Sequence, residues 1–467
     1  MRKLISTLSF ILLLALAATA GNAKYVFYFI GDGMGVNHVH GTELYYGSLA
    51  GHLGTESLLF TTFPYAGVCT TYSESTNVTD SAAAGTALAT GKKTFNGRVG
   101  VDTTGTAIES IAAKAKKAGR AVGITTTVGV DHATPAVFYA HQPDRNWYYE
   151  IALDIPKAGF DFHAGGGFHK PHTDKDGKEA PSIYPILEDA GYSIVGSTDE
   201  YKSKKASSGK MILTQGLDKG SDLPYAIDQK PGDLNLAQIT ECAIDFLTTG
   251  KNKNKGFFLM VEGGKIDGAG HGNDAATAFL ETKDMDDAIK VAYEFYKKHP
   301  KETLIIVTAD HETGGLSVGQ DFYTTNLPVL QYQKCSQDVL SAKISRLRKE
   351  KGRKATWDDA RAILTENFGL FGSVPVRWEQ EKILRDEFEK SFHGRGVKME
   401  DTWYASTEPL AAAAKRVLNQ IAIVGWASAN HTGAWVPVFA IGNGANLFTG
   451  KMDNTDIPKR ISKAAGY

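Results

Sequence analysis

Three apolar runs in this chain each end on a carboxylate. Tyr25 to Ile30 runs into Gly31-Asp32-Gly33-Met34-Gly35, Phe257 to Val261 into Glu262, and Leu304 to Thr308 into Ala309-Asp310-His311-Glu312. Short runs of β-branched and aromatic residues read as buried parallel strands. In an open α/β sheet the ligand site lies beyond the carboxyl ends of the strands. Acids gathered at that edge repel one another unless cations hold them there. The pattern therefore points to a site for more than one metal ion.

Histidines extend the set. Asp267 and His271 stand four apart in a glycine-rich stretch, a spacing that puts both on one face of a helix or turn. Carboxylate plus imidazole suits zinc, although a surface pair on a glycine loop would read the same way. Glu262, at the strand end, is placed to serve a different ion. Asp310 and His311 are sequence neighbours, and neighbours on a strand face opposite ways. A shared ion requires the strand to break, and Gly314-Gly315 is the expected break. His431 precedes the apolar run Val436 to Ile441 and is the third imidazole at the mouth of a strand.

Ser81 is the candidate nucleophile. It opens the Ala-rich stretch Ser81-Ala82-Ala83-Ala84, where the free N–H groups of a first helical turn stabilise an anion. A neighbouring metal ion lowers the pKa of a hydroxyl and activates it. Helix capping by Asp80 or Ser81 is the competing reading. No histidine lies in a triad-like motif near Ser81, so a metal-activated serine fits better than a Ser-His-Asp triad. Asp131-His132-Ala133-Thr134-Pro135 offers an imidazole and a hydroxyl to a hard Mg2+, directly or through its waters. Arg145 has the planar fork that grips two phosphate oxygens.

The first two-thirds of the chain alternate strand and helix. Thr106 to Glu109 has the pattern of a capping box opening a helix with Ile108, Ile111, Ala112 and Ala115 on its apolar face, and Gly119 follows as its C′ residue. A second amphipathic helix is expected over about 274–296. Such alternation predicts an α/β fold: a three-layer α/β/α sandwich on a mostly parallel central sheet. Residues from about 170 to 234 read as surface loops with one short strand near Ser193 to Val195. Residues from about 321 to 407 read as an insertion of charged amphipathic helices over 336–351, 356–367 and 376–392. It falls between Asp310-His311 and His431, and so over or beside the site. One catalytic domain, 24–467, is preferred to two tandem domains.

The chain of 467 residues is 42% hydrophobic and 22% charged with a net charge of −1, which gives nucleic-acid binding no electrostatic support. Arg2-Lys3, the apolar stretch Leu8 to Ala17 and the small residues that follow have the form of a secretory signal peptide, residues 1–23, cut after Ala20 or Ala23. The expectation is an exported protein, periplasmic or secreted, with no membrane span once the signal is removed. Three cysteines without a CxxC pattern exclude a thiolate zinc site, and Cys69 reads as a core residue.

In order along the chain, Asp32-Gly-Met-Gly, Thr79-Asp80-Ser81-Ala-Ala, Ala133-Thr134-Pro135, Glu262-Gly-Gly-Lys-Ile-Asp267, Thr308-Ala-Asp310-His311 and His431-Thr432-Gly433 resemble the motifs of the alkaline phosphatase family. They span nearly all of the chain after the leader. The resemblance implies hydrolysis of phosphate monoesters, small-molecule substrates, through a covalent phosphoserine at a site of two Zn2+ and one Mg2+, with an alkaline pH optimum. It implies one zinc on Asp267, His271 and His431, and a second on Asp32, Asp310 and His311 beside Ser81. Magnesium would sit on Asp32, Thr134 and Glu262, Arg145 would clamp the phosphate, and the chain would form a homodimer. Two positions depart from the family's best-known bacterial member. Gly268 stands where that enzyme has Lys and the vertebrate enzymes His, which removes a water-mediated phosphate contact. His132 stands where it has Asp, as in the vertebrate forms, which bears on magnesium and its surrounding waters. A phosphodiesterase or phosphonate hydrolase of the same superfamily is the nearest alternative, but Thr134, Glu262 and Arg145 argue against it. A sulfatase is set aside: a Cys-x-Pro-x-Arg segment is lacking, and the one Ser-x-Pro-x-Arg match, Ser373-Val-Pro-Val-Arg377, falls in the stretch of charged helices, apart from the acid and histidine motifs. A secreted metal- or phosphate-binding protein without turnover is the alternative of a different class.

Overall fold

The structure is a computed structural model that describes residues 22–216, 220–320, 323–394 and 396–467. Residues 1–21 of the expected leader lie outside the described residues. No described helix is long and apolar enough to cross a membrane.

Ten strands form the central sheet: β1 (Tyr25–Gly31), β2 (Tyr65–Thr70), β3 (Ala121–Thr126), β4 (Phe162–Ala164), β5 (Tyr192–Val195), β6 (Lys210–Leu213), β7 (Phe257–Gly263), β8 (Thr303–Ala309), β9 (Val436–Gly442) and β10 (Gly450–Asp453). Their order is β10-β2-β9-β8-β1-β7-β3-β4-β6-β5. Within this sheet β9 alone runs against its neighbours. Every residue of β1, β7 and β8 is buried, as expected of strands covered on both faces.

The register sets up the chemistry. Ile30 of β1 lies opposite Glu262 on one side and Thr308 on the other, and Gly31 lies opposite Ala309. Asp32 and Asp310 thus follow their strands at the same level, with Glu262 two residues short of that level on the third strand.

Helix α1 (Ser81–Thr90) begins at the site, and α2 (Ile111–Lys117) covers the sheet. The cap of α2 differs from the expected box. Ser110 is the N-cap and accepts from Ala113 N at 3.1 Å. Thr106 is instead tied into a turn, its N–H bonded to Asp102 Oδ1 at 2.9 Å. Gly119 follows α2 with φ +80°, as expected of a C′ residue. The stretch about 170–234 also differs from expectation. Besides β5 it holds β6 and the short helices Ile183–Asp189 and Thr198–Lys204, so it completes one edge of the sheet.

Helix α3 (Lys265–His271) leaves β7 and is followed by the long α4 (Ala275–Lys298). The stretch about 321–407 carries α5 (Gln337–Lys351), α6 (Trp357–Phe368) and α7 (Trp378–Phe388), which pack around α8 (Pro409–Ala422). Leu340, Ile344, Leu364, Phe368, Leu384 and Val417 share this second core, separate from that of the main sheet. Its last piece is a hairpin, Glu400–Asp401 paired antiparallel with Ser406–Thr407. The Arg416 guanidinium of α8 holds Glu400 with two bonds of 2.6 and 3.0 Å.

Candidate active site

The strand-end acids meet as their register requires. Asp32, Glu262 and Asp310 are fully buried. Among the described residues Asp32 Oδ1, Glu262 Oε1 and Asp267 Oδ2 accept no hydrogen bond. Buried carboxylate oxygens without a partner are costly. Burial first, and then Asp310, Asp267 and Glu262, push the Asp32 carboxyl well above the usual range. Burial pushes Glu262 up to about 8, against a hydrogen bond from Thr126, with Asp310 adding to the rise. Burial and then Asp267 raise Asp310 to about 7. Such a group fits cations, whose positive charge would keep the acids ionised. Ligand atoms within 4.8 Å of one another form three clusters: Asp32, Asp310 and His311; Asp32, His132 and Glu262; and Asp267, His311 and His431. Thr134 Oγ1 sits beside the first two, donating to Asp32 Oδ2 at 3.3 Å.

The imidazoles come from three separate elements. Asp267 and His271 lie on α3, with Oδ2 and Nε2 3.4 Å apart. The strand β8 ends at Ala309, so Asp310 and His311 already lie in loop backbone. The break comes before Gly314-Gly315, and both carboxylate and imidazole turn inward: His311 Nε2 is 3.3 Å from Asp310 Oδ2 and from Asp32 Oδ1. His431 arrives because His431–Thr432 pairs antiparallel with Glu312–Thr313. The Thr432 hydroxyl donates to Glu312, whose carboxylate also accepts from Gly315 N at 2.9 Å. His431 Nε2 then stands 3.5 Å from Asp267 Oδ1 and 3.1 Å from His271 Nε2.

Two rings are aimed by backbone carbonyls. His271 Nδ1 donates to Ala429 O at 2.6 Å and His431 Nδ1 to Thr79 O at 2.8 Å, which leaves each Nε2 lone pair facing the cluster. Burial lowers His311 and His132 well below the ordinary imidazole range, and it lowers His431 as well. Burial alone would raise Asp267, but His271, His431 and His311 outweigh it and hold that carboxyl well below its usual range.

Ser81 is the first residue of α1. Asp80 is its N-cap, accepting from Ala83 N at 2.9 Å and Gly97 N at 3.0 Å, so capping falls to Asp80 and leaves the Ser81 hydroxyl free for other work. Ser81 Oγ is fully buried and lies 3.1 Å from His311 Nε2. Arg145 enters from the loop after Gln142. Its Nη1 donates to Asp80 Oδ2 at 3.2 Å, and its Nη2 reaches His132 Nε2 at 3.2 Å and the Tyr404 hydroxyl at 3.3 Å.

A cavity of about 410 Å³ opens onto these groups, lined by Asp80, Arg145, His271 and His431 on the inside and by Trp403 and Tyr404 on the outside. Sequence reasoning missed the two aromatics. It also missed Asp80 as a partner of Arg145, Glu312 as a tie to His431, and His169, whose Nδ1 bonds Asp131 at 2.8 Å while its ring lies 6.0 Å from that of His132.

A family model described as alkaline phosphatase matches residues 23–467. The chain belongs to the alkaline phosphatase family. Alkaline phosphatase 3 of Bacillus subtilis is 34% identical over 457 residues, covering 95% of this chain and 89% of that one. The cold-active alkaline phosphatase of the psychrophile Shewanella sp. has a similar structure, with TM-score 0.78 and 29% identity over 94% of this chain and 99% of that one. A variant of the alkaline phosphatase from the Antarctic bacterium TAB5, solved with Mg bound in its M3 site, has TM-score 0.64 and 26% identity over 96% and 99%. This member of the family is accordingly a metal-dependent phosphatase that hydrolyses phosphate monoesters. At the departure noted in sequence, a Cβ on Gly268 would lie 2.7 Å from the Tyr225 hydroxyl, so a half-buried tyrosine stands where a longer side chain would begin.

Proposed function

We propose that the chain hydrolyses phosphate monoesters by passing the phosphoryl group through Ser81. The observation that carries this reading is the Ser81 hydroxyl, 3.1 Å from His311 Nε2 at the start of α1, beside unpartnered carboxylate oxygens. Asp267, His271 and His431 would hold one zinc, and Asp32, Asp310 and His311 a second. Asp32, Thr134 and Glu262 would hold magnesium with His132 beside them. The Asp32, His132 and Glu262 cluster supports the last assignment. When bound, these ions supply positive charge against the transferring oxygens and depress the pKa of hydroxyls next to them.

The side chains do the rest. Arg145, oriented by Asp80, grips two phosphate oxygens and sets phosphorus in line with Ser81 Oγ. The Ser81 Oγ–P bond forms as the ester P–O bond breaks, and the departing alcohol oxygen takes up a proton. Water then attacks phosphoserine, releasing inorganic phosphate and restoring the hydroxyl. The free N–H groups of the first turn of α1 stabilise negative charge at Ser81 throughout. Because the serine must lose its proton, the rate rises toward alkaline pH. Export, with residues 1–23 as leader, and assembly as a homodimer belong to the same proposal and rest on the sequence reading.

The test is a rate comparison on an aryl phosphate monoester and the matching diester, with metal analysis of the same preparation. The proposal expects strong preference for the monoester, with two zinc and one magnesium per active chain. A preference for the diester, or full activity with fewer than two zinc equivalents, would overturn it.

A further inference from the structure

The outer wall of the active-site cavity is built from a part of the chain that supplies none of the carboxylate, imidazole or serine groups of the site. Trp403 and Tyr404 sit at the turn of the 400–407 hairpin and line the cavity together with Asp80 and Arg145. Trp403 is 73% exposed, an unusual state for a tryptophan. It is nevertheless held. Its indole Nε1 donates to Asn430 Oδ1 at 3.1 Å, next to His431 in sequence. Tyr404 fixes the neighbouring position, its hydroxyl on Arg145 and its ring 5.2 Å from that of His271. Thr402 N donates to Ala405 O at 2.8 Å across the turn, and the Arg416–Glu400 pair anchors the base. Among the described residues no ring or cation stacks on the indole. A large flat face is thus held in place at the mouth of the cavity and left uncovered.

The reaction geometry says what meets that face. Ser81 is fully buried and directly follows Asp80, which lines the cavity, so the group leaving in line with it points away from the interior, toward the mouth. There it meets an aromatic plane together with a polar edge supplied by Asp144, Asn146 and Asn430. A leaving group with a flat ring and hydrogen-bonding substituents uses both; an aliphatic polyol uses only the second.

We propose that Trp403 is the platform on which a heteroaromatic base of the leaving group stacks, which makes nucleoside monophosphates the preferred monoesters of this site. The inference rests on the phosphomonoesterase reading above and narrows it to a substrate class. Stacking on an exposed aromatic depends little on which base is present, because every base has a π-face.

The test compares kcat/KM for adenosine 5′-monophosphate and ribose 5-phosphate. Both release the same primary alcohol position, so their ratio reads the base alone. The wild type should favour the nucleotide by about tenfold, the size of one base–aromatic stack. In Trp403→Ala the ratio should fall to about one, while Trp403→Phe, which keeps a flat ring, should retain most of it. A wild-type ratio near one, or a ratio unchanged in Trp403→Ala, overturns the inference and leaves the phosphomonoesterase reading intact. Turnover of neither compound by the metal-loaded enzyme overturns both.

Discussion

The Tyr404 hydroxyl accepts a hydrogen bond from Arg145 Nη2 at 3.3 Å, although the two residues stand 259 positions apart. The guanidinium is thereby held from two sides, by Asp80 on the catalytic helix and by Tyr404 on the hairpin of the 321–407 stretch. A residue outside the carboxylate and imidazole cluster thus sets the angle of the proposed phosphate clamp.

Removing the hydroxyl should loosen the phosphate clamp without touching the nucleophile. Tyr404→Phe keeps the ring on His271 and loses one bond to a charged donor. The expected result is a rise of about three- to tenfold in KM and in the inhibition constant of inorganic phosphate. kcat should stay within about twofold, since the interaction is made equally in ground and transition states. Steady-state kinetics of the two enzymes reads the split; a fall in kcat with KM unchanged would assign Tyr404 to the chemical step instead.

The carboxylate cluster predicts a second behaviour. Asp32, Glu262, Asp310 and Asp267 share one buried space with several oxygens unpartnered. Stripping cations leaves mutual repulsion with nothing to oppose it, and rebinding should recover on the order of several kcal/mol. Melting curves with chelator, and after zinc and magnesium are restored, should differ by many degrees and be reversible. Coincident curves would mean that the acids are satisfied without metal.

How much of this was legible beforehand depends on range. The strands β1, β7 and β8 announce themselves because burial on both faces forces unbroken apolar runs, and their acids follow one residue type at a time. Ser81 was visible as the start of a helix, and His431 as an imidazole before a strand. Which cluster each joins was not, because it depends on pairings such as His431 with Thr313 that close a gap of more than a hundred residues. Trp403 and Tyr404 carried no signal: an aromatic pair in a polar segment reads as surface, and only its docking over Arg145 and Asn430 gives it meaning. The Thr106 box failed for a local reason, since Ser110 offers the same hydroxyl four residues later. Strand β6 was missed because four residues, Lys210-Met-Ile-Leu213, are too few to show a period.

A third prediction concerns stability away from the metals. Glu281 on α4 is buried, and burial first and Asp284 next push its carboxyl from 4.5 up to about 8, against a hydrogen bond from Ala226 N. As a neutral acid it contributes its full stability below 4.5, where folded and unfolded chains both hold the proton. Between 4.5 and about 8 the unfolded chain releases that proton and the folded one does not, so stability is lost as pH rises. Glu281→Gln, neutral at every pH, should therefore be more stable than wild type by up to a few kcal/mol at about pH 9, with little gain at about pH 5. Unfolding midpoints of the metal-loaded proteins at the two pH values measure this; an equal gain at both would show that charge is not the cause.

The central claim is that Ser81 carries the phosphoryl group. It is tested most directly by acid-quenching the metal-loaded enzyme during turnover of a labelled phosphate monoester and locating the label in the protein. The account predicts phosphoserine at Ser81 in the wild type, and no protein-bound label in Ser81→Ala, with activity down by several orders of magnitude. Label retained by Ser81→Ala, or found on another residue of the wild type, would contradict it.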